Sequence, residues 1–265
     1  MEKVLFVSIP KCGTHLLWRY FPFVGFKYEG PYDAASFKIE FYDYVRNLKE
    51  GFYSAYHFLL TEELSEIIRS NGIKTVFLYR DPRAQICSNK NYILKTPSHI
   101  LHRHFTEDMT DDEDRIKLLI QGFDPDKDKL YKEIYQKPMY PISFRKKGPD
   151  FKFRGGINAL YSTYAPWLEA PNCYCVRFED LVGPKGGGSA ERQLQVVREL
   201  MDFTGTPRGR LDPKEVANIL YNEKADTFHK GQIDSWREEF TPELHKIFMR
   251  EAGELLKYWG YPEDV

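Results

Sequence analysis

Three short segments carry the residue types that could do chemistry in this chain. The first, Ser8-Ile9-Pro10-Lys11-Cys12-Gly13-Thr14-His15, joins an apolar run to a helical pattern. A strand-to-helix turn aims backbone N–H groups and the positive end of a helix dipole into the loop, which favours an anion there. Lys11 adds a full charge, Gly13 allows close backbone approach, and Thr14 adds a hydroxyl donor. The GxxxxGK[ST] spacing of a Walker loop is absent, so the choice on spacing alone is between a phosphate loop and a solvated turn with a lysine in it. The second segment runs from Val76 through Arg80-Asp81-Pro82-Arg83 to Ser88. An apolar strand ends in an arginine whose planar fork suits a phosphate, and a proline then opens a helix. Ser88 lies about two turns into that helix. The competing reading of Arg80 is structural, a partner for Asp81 or a C-terminal carboxylate. The third segment, Phe228-His229-Lys230-Gly231-Gln232-Ile233-Asp234-Ser235-Trp236, sets a basic pair before a glycine and a tryptophan. Such a loop can clamp a phosphate while the indole anchors it.

The elements that must position these loops are legible as alternating patterns. Val4–Ser8, Phe52–Tyr56, Thr75–Tyr79 and Tyr174–Phe178 are short apolar runs, and helical patterns follow the first three over Gly13–Tyr20, Thr61–Ser70 and Pro82–Ile93. Continuously apolar strands separated by helices predict a parallel sheet covered on both faces, a three-layer α/β sandwich resembling the P-loop NTPases. In such a sheet, ligands bind beyond the carboxyl ends of the strands. Residues 95–155, with three histidines, five prolines and an acidic run at Asp111–Asp114, hold no core strand pattern. They read as a mostly helical or loop insertion over that carboxyl edge, helical around Arg115–Gln121, and as a candidate acceptor-binding cap or a plain surface excursion. The glycine-rich stretch Gly183–Ser189 reads as a flexible loop ending in an N-cap for a helix over Glu191–Phe203. A last helix opens at Thr241-Pro242 and runs to about Tyr258. The whole chain, 1–265, reads as a single domain.

Composition narrows the class. There are 38 Lys+Arg against 39 Asp+Glu, a net charge near zero that excludes binding to nucleic acid or an anionic membrane by bulk electrostatics. No apolar run approaches the ~18 residues that cross a bilayer, and Val4–Val7 is too short for a signal-peptide core. The four cysteines, Cys12, Cys87, Cys173 and Cys175, show no metal spacing, which suits free thiols in a reducing, cytoplasmic compartment. Cys173 and Cys175 share one strand face, where packing is the plainer reading. His99, His102 and His104 cluster without a ligand set around them, Trp18 and Trp167 read as core, and His245 as surface.

Together the loops match a pattern. The sequence resembles the sulfotransferases that use 3′-phosphoadenosine 5′-phosphosulfate (PAPS). Their P-K-[ST]-G-T-T loop is matched by Pro10–His15, their R-N-P-x-D with a following serine by Arg80–Ala84 and Ser88, their [YF]-E-D-[LM] by Phe178–Leu181, and their R-K-G-x-x-G-x-W by His229–Trp236. The order holds from Val4 to Trp236. The resemblance implies that Lys11, Cys12, Gly13, Thr14 and His15 form the 5′-phosphosulfate loop. It implies that Arg80, Ser88, His229, Lys230 and Gly231 hold the 3′-phosphate, and that Phe178 lies near the adenine. It implies His57 as the general base, at the end of the second core strand, with Lys11 stabilising charge on the bridging oxygen, no metal, and a small-molecule acceptor. An ordinary histidine, with a pKa near 6.5, suits that role. The departures are Cys12 for a hydroxyl residue, His15 for a threonine, His229 for an arginine and Asp234 for a glycine. A P-loop-like small-molecule kinase and a non-catalytic nucleotide-binding protein of the same fold are the alternatives. Oligomeric state is not legible.

Overall fold

The computed structural model describes residues 1–30, 41–99, 101–122, 156–207, 209–221 and 231–263. These divide into two compact units: one of residues 1–80 and 164–233, the other of residues 81–163 and 234–265.

The first unit is built on five parallel strands in the spatial order β2-β3-β1-β4-β5. They are β1 (Val4–Ser8), β2 (Lys27–Tyr28), β3 (Phe52–Tyr56), β4 (Lys74–Tyr79) and β5 (Cys173–Arg177). The central strand β1 is buried throughout, because both faces of a parallel sheet are covered and neither can be polar. On one face Val4, Phe6, Tyr53, Ala55, Val76, Leu78 and Val176 join the core beneath α1 (Thr14–Phe23), α8 (Ala190–Phe203) and α9 (Pro213–Leu220). On the other, Phe77 stacks with Tyr79, Tyr164 and Trp167. Trp167 is fully buried, as expected of a core residue, while Trp18 is only half-buried and packs against the core edge-on to Tyr53. The expected strand over Tyr174–Phe178 sits one residue earlier, because Phe178 opens the short helix α7 (Phe178–Leu181).

Local signals set the helix ends. The Thr61 hydroxyl accepts from the Leu64 amide to open α3 (Glu62–Ser70), and Ser189 caps α8 through the Arg192 amide. Gly183–Ser189, expected to be a flexible loop, instead contains a tight turn at Pro184–Gly186. Gly186 is buried, and a Cβ there would lie 2.7 Å from the Gly231 carbonyl oxygen. That glycine serves close packing rather than freedom. Helices α2 (Phe41–Arg46) and α9 and the two-residue β2 lie outside the sequence-based expectations.

The second unit contains α4 (Pro82–Lys95), a π-turn at His104–Asp108, α5 (Asp112–Gln121), most of α6 (Gly156–Tyr164), a 3₁₀ turn at Ser235–Glu238 and α10 (Pro242–Trp259). Residues 123–155, most of the expected insertion, lie outside the described residues. Buried charges tie this unit together. Lys90 bridges Asp112 at 2.5 Å and Glu239 at 2.6 Å. Arg83, 1% exposed, forms two bonds to Asp81, donates to the Pro262 carbonyl, and lies 4.0 Å over the Trp236 ring. His245 is half-buried rather than on the surface, its Nδ1 enclosed. No helix among the described residues is long and apolar enough to cross a membrane.

Asp81 caps α4 through the Arg83 amide and also neutralises the buried Arg83 guanidinium. Asp81→Ala should therefore destabilise the protein by about 3–5 kcal/mol, since it strands a buried charge. Thr61→Ala, which removes a cap and a hydroxyl contact to Tyr42 at 2.7 Å but strands no charge, should cost about 1–2 kcal/mol. Urea unfolding of both variants measures the difference, and equal losses would contradict the reading of Arg83.

Candidate anion-binding and proton-transfer site

The parallel register brings three strand ends to one level. Val7 pairs with Tyr56 and Ser8 with Leu78, so β1, β3 and β4 all finish at the same edge of the sheet. The segments that follow them contain Lys11, His57 and Arg80.

The loop after β1 is bent by two left-handed residues, Lys11 at φ 68° and Gly13 at φ 90°. A left-handed lysine is uncommon and strained. The loop it bends ends at the N-terminus of α1, where the opening amides lack intrahelical acceptors. Burial pushes the Lys11 pKa down from 10.5 to about 8, with Cys12 opposing the shift. Such a group gains from an anion brought beside it, because the anion restores the favourable surroundings the charge lost on burial. Cys12 is fully buried, its thiol turned toward the Pro10 carbonyl at 3.9 Å. It supports the loop from beneath. His15 stands exposed on the first turn of α1.

His57 is joined to this loop by hydrogen bonds. Its Nδ1 lies 2.7 Å from the Ser8 carbonyl and 3.2 Å from the Ser8 hydroxyl, which in turn lies 2.9 Å from the Thr14 hydroxyl. A carbonyl oxygen only accepts, so Nδ1 carries the proton in the neutral ring and Nε2 is the basic nitrogen. The backbone behind the ring is also fixed. Tyr164 donates its hydroxyl to the His57 carbonyl at 3.2 Å, and the Trp167 indole donates to the Phe58 carbonyl at 2.9 Å. Ser8, Tyr164 and Trp167 were not singled out for this role by the sequence. The position of Ser8 at the end of the first strand, two residues before Pro10, was the one available signal.

Arg80, 6% exposed, donates from Nη2 to the Gln232 carbonyl at 2.8 Å and lies 4.1 Å over the ring of Phe178. Asp81 belongs to Arg83, so the structural partner considered for Arg80 is already engaged with its neighbour two residues on. The Phe178 ring also packs on the anion loop, where a Cβ at Gly13 would lie 2.5 Å from Phe178 Cδ2. One ring therefore touches both cationic segments. Segment 231–233 is docked in turn: the Ile233 amide donates to the Gly186 carbonyl and the Gln232 side chain to the Lys185 carbonyl, each at 2.8 Å. Gly231 is left-handed, at φ 59°. Gln232, an unspecified letter of the motif, proves to be the residue that anchors Arg80.

Of the remaining expected site residues, Ser88 is half-buried on the second turn of α4 in the other unit, and His229 and Lys230 lie outside the described residues. Asp234 holds the left-handed conformation, φ 59°, that a glycine would adopt, and its carboxylate faces Arg237 at 3.6 Å. The three clustered histidines each face a local partner: His99 the Leu101 amide, His102 the Ile93 carbonyl, His104 the Asp108 carboxylate. Among the described residues no group of three or more His, Cys, Asp or Glu is arranged to hold a metal.

No family model matches the chain, and no curated protein sequence matches it. Solved structures do. A mouse sulfotransferase complexed with PAP superposes with a TM-score of 0.61 at 15% identity, over 97% of this chain and 89% of that one. Retinol dehydratase in complex with androsterone and inactive cofactor PAP gives 0.53 at 12% identity, over 96% and 80% of the two chains. Retinol dehydratase with retinol and PAP gives 0.53 at 14%, over 97% and 82%. The α/β fold with a central parallel sheet is thus the fold these proteins share with this chain.

Gly13→Ala places a side chain on a left-handed residue and against Phe178. It should lower stability by about 1–3 kcal/mol from the backbone alone, with a further loss from the clash. In a Phe178→Ala background the clash disappears and only the backbone part remains. A double-mutant cycle by denaturant unfolding should therefore show a favourable coupling between the two substitutions, and strict additivity would refute the packing.

Proposed function

We propose that this protein is a PAPS-dependent sulfotransferase that moves a sulfuryl group to a hydroxyl or amine of a small-molecule acceptor. The observation that carries this reading is the hydrogen-bonded line from Thr14 through Ser8 to His57, which makes the anion loop and a correctly protonated base parts of one unit. The fold shared with PAP-bound structures supports the donor, and the androsterone and retinol in two of them support a small acceptor.

The residues present fit such a donor. Lys11, Gly13, Thr14 and the amides opening α1 would hold its 5′ end, with His15 at the rim and Cys12 beneath, while Arg80 and the Gly231 turn would take the 3′-phosphate. When bound, the donor supplies an activated sulfuryl group on a phosphate leaving group. His57 Nε2 then accepts the acceptor's proton, and the Ser8 carbonyl stabilises the resulting imidazolium through Nδ1–H. Lys11 offsets charge growing on the leaving oxygen. Phe178 keeps the Arg80 guanidinium at a set distance from the loop. Transfer of this kind depends on alignment and electrostatics more than on covalent help from the protein. Residues 95–155 are assigned here as the acceptor cap.

Incubation with PAPS and an acceptor panel should release 3′,5′-diphosphoadenosine. Lys11→Ala should abolish release, and transfer that survived it would remove the mechanism. His57→Ala should lower kcat by ~10²–10⁴ while leaving diphosphoadenosine affinity within a few-fold. Stabilisation by ATP–Mg²⁺ and not by diphosphoadenosine would favour the kinase reading instead.

The depressed Lys11 pKa sets a pH dependence. Below about 8 the ammonium is charged and attracts the ligand; above it the folded, ligand-free protein holds a neutral amine. Diphosphoadenosine affinity should therefore fall by about tenfold between pH 7 and pH 9. Without ligand the sign is opposite: an unfolded chain keeps this proton up to about 10.4, so folding stability gains from this group as pH rises from 8. Calorimetry across that range, with Lys11→Met as the control that should lose the dependence, measures both.

A further inference from the structure

Away from the anion loop, the outer strand β5 carries two thiols side by side. Cys173 and Cys175 are paired in register with Thr75 and Phe77 and share a face with the Phe77–Trp167 stack. Both are half-buried and reduced. Their sulfurs are 3.8 Å apart, and the Cys175 thiol donates to the Trp167 carbonyl at 3.5 Å.

Geometry separates two uses of such a pair. Strand backbone keeps residues i and i+2 about 6.6 Å apart at Cα, at the far end of the ~4.4–6.8 Å range that a disulfide spans. Closing that bond would require the sulfurs to approach from 3.8 Å to ~2.05 Å, against a strand held by its ladder. By contrast, a soft centre bound ~2.3 Å from each sulfur leaves the sulfurs out of bonding contact with one another: ~3.8 Å apart at a tetrahedral angle, and roughly 3.3–3.5 Å apart at the narrower angle of a pyramidal trivalent centre. The thiols stand within about half an ångström of that separation, a far smaller adjustment than a disulfide would demand.

We propose that Cys173 and Cys175 form a two-sulfur chelating site for a soft, thiophilic centre, of which trivalent arsenic bearing one organic group is the class that asks for two thiolates and no more. Among the described residues no third ligand of the usual kind joins them, and thiolates are the ligands such soft centres prefer. The reaction balances without an oxidant. An arsenoso group, R–As=O, and two thiols give R–As(S)₂ and one water; two As–S bonds form, the As=O bond breaks, and both thiol protons leave on the oxygen. It starts at Cys175, whose thiolate is favoured by the hydrogen bond from Cys173, while Cys173 is held protonated by the same bond and by burial. Chelation also takes the Cys175 proton away from the Trp167 carbonyl. Trp167 and Tyr164 hold the carbonyls of Phe58 and His57, so occupation of the clip would register behind the histidine.

The test is stoichiometric addition of phenylarsine oxide to the whole reduced protein in the presence of a monothiol. Intact mass should show one adduct, formed with loss of one water, that resists the monothiol and is removed by a dithiol such as dimercaptopropanol. Peptide mapping of the unsubstituted protein should place it across Cys173 and Cys175. Cys173→Ser and Cys175→Ser should each cut the monothiol-resistant adduct at least tenfold. An adduct that maps to Cys12 or Cys87, that a monothiol strips, or that persists in either serine variant overturns the proposal. Mapping on the unsubstituted chain decides the matter even if a serine variant fails to fold. None of these readouts depends on sulfuryl transfer.

Discussion

One aromatic ring, that of Phe178, ties together the two segments that contain Lys11 and Arg80. It packs on Gly13 of the loop after β1 and lies under the Arg80 guanidinium after β4, a rigid apolar contact common to both that gains from the attraction of the guanidinium to its face. The rest of the unit serves that arrangement. The parallel register levels the strand ends, the packed glycine turn at 184–186 docks the segment containing Gln232, and Gln232 holds the other side of Arg80. The depressed Lys11 pKa has the same origin: packing the loop this closely takes the ammonium partly out of water.

The architecture could be read from the chain because its signals are additive. Four apolar runs, each followed by a helical pattern or turn chemistry, specify a parallel sheet with little ambiguity, and Thr61, Ser189 and Thr241 mark helix starts that the structure reproduces. The elements that escaped are those with little signal of their own. β2 is two residues long and owes its existence to pairing with β3, while α9 is a short helix whose apolar positions resemble a loop until α1 and α8 cover them. Gly183–Ser189 misled for a different reason. Glycine permits freedom and close packing equally, and only the tertiary neighbours of Gly186 decide between them.

The site was legible as residue types and not as contacts. Lys11, His57 and Arg80 were each identifiable, yet Lys11 and Arg80 had plain structural explanations that spacing could not dismiss. What decides between the readings is who holds whom. Asp81 pairs with Arg83 and not with Arg80, whose guanidinium instead meets the Gln232 carbonyl and the Phe178 ring, and the Ser8 carbonyl fixes the His57 tautomer. Neither relation follows from a motif: Asp81 has an arginine on either side and spacing does not choose between them, and a backbone carbonyl carries no sequence letter. The Ser8, Gln232 and Trp167 contributions were hidden for the same reason: two act through main-chain oxygens, and the third through an indole that reads as ordinary core.

The shared level of β1, β3 and β4 has a consequence for how such a chain can change over generations. Lengthening any of these strands by a single residue would turn its terminal side chain to the opposite face and raise it by about 3.3 Å, disarming whichever group it delivers. Insertions and deletions are therefore tolerated beyond the strand ends and not within them. Novelty in what such a scaffold accepts can accumulate in the outlying segments while the ruler-like interior keeps its measure.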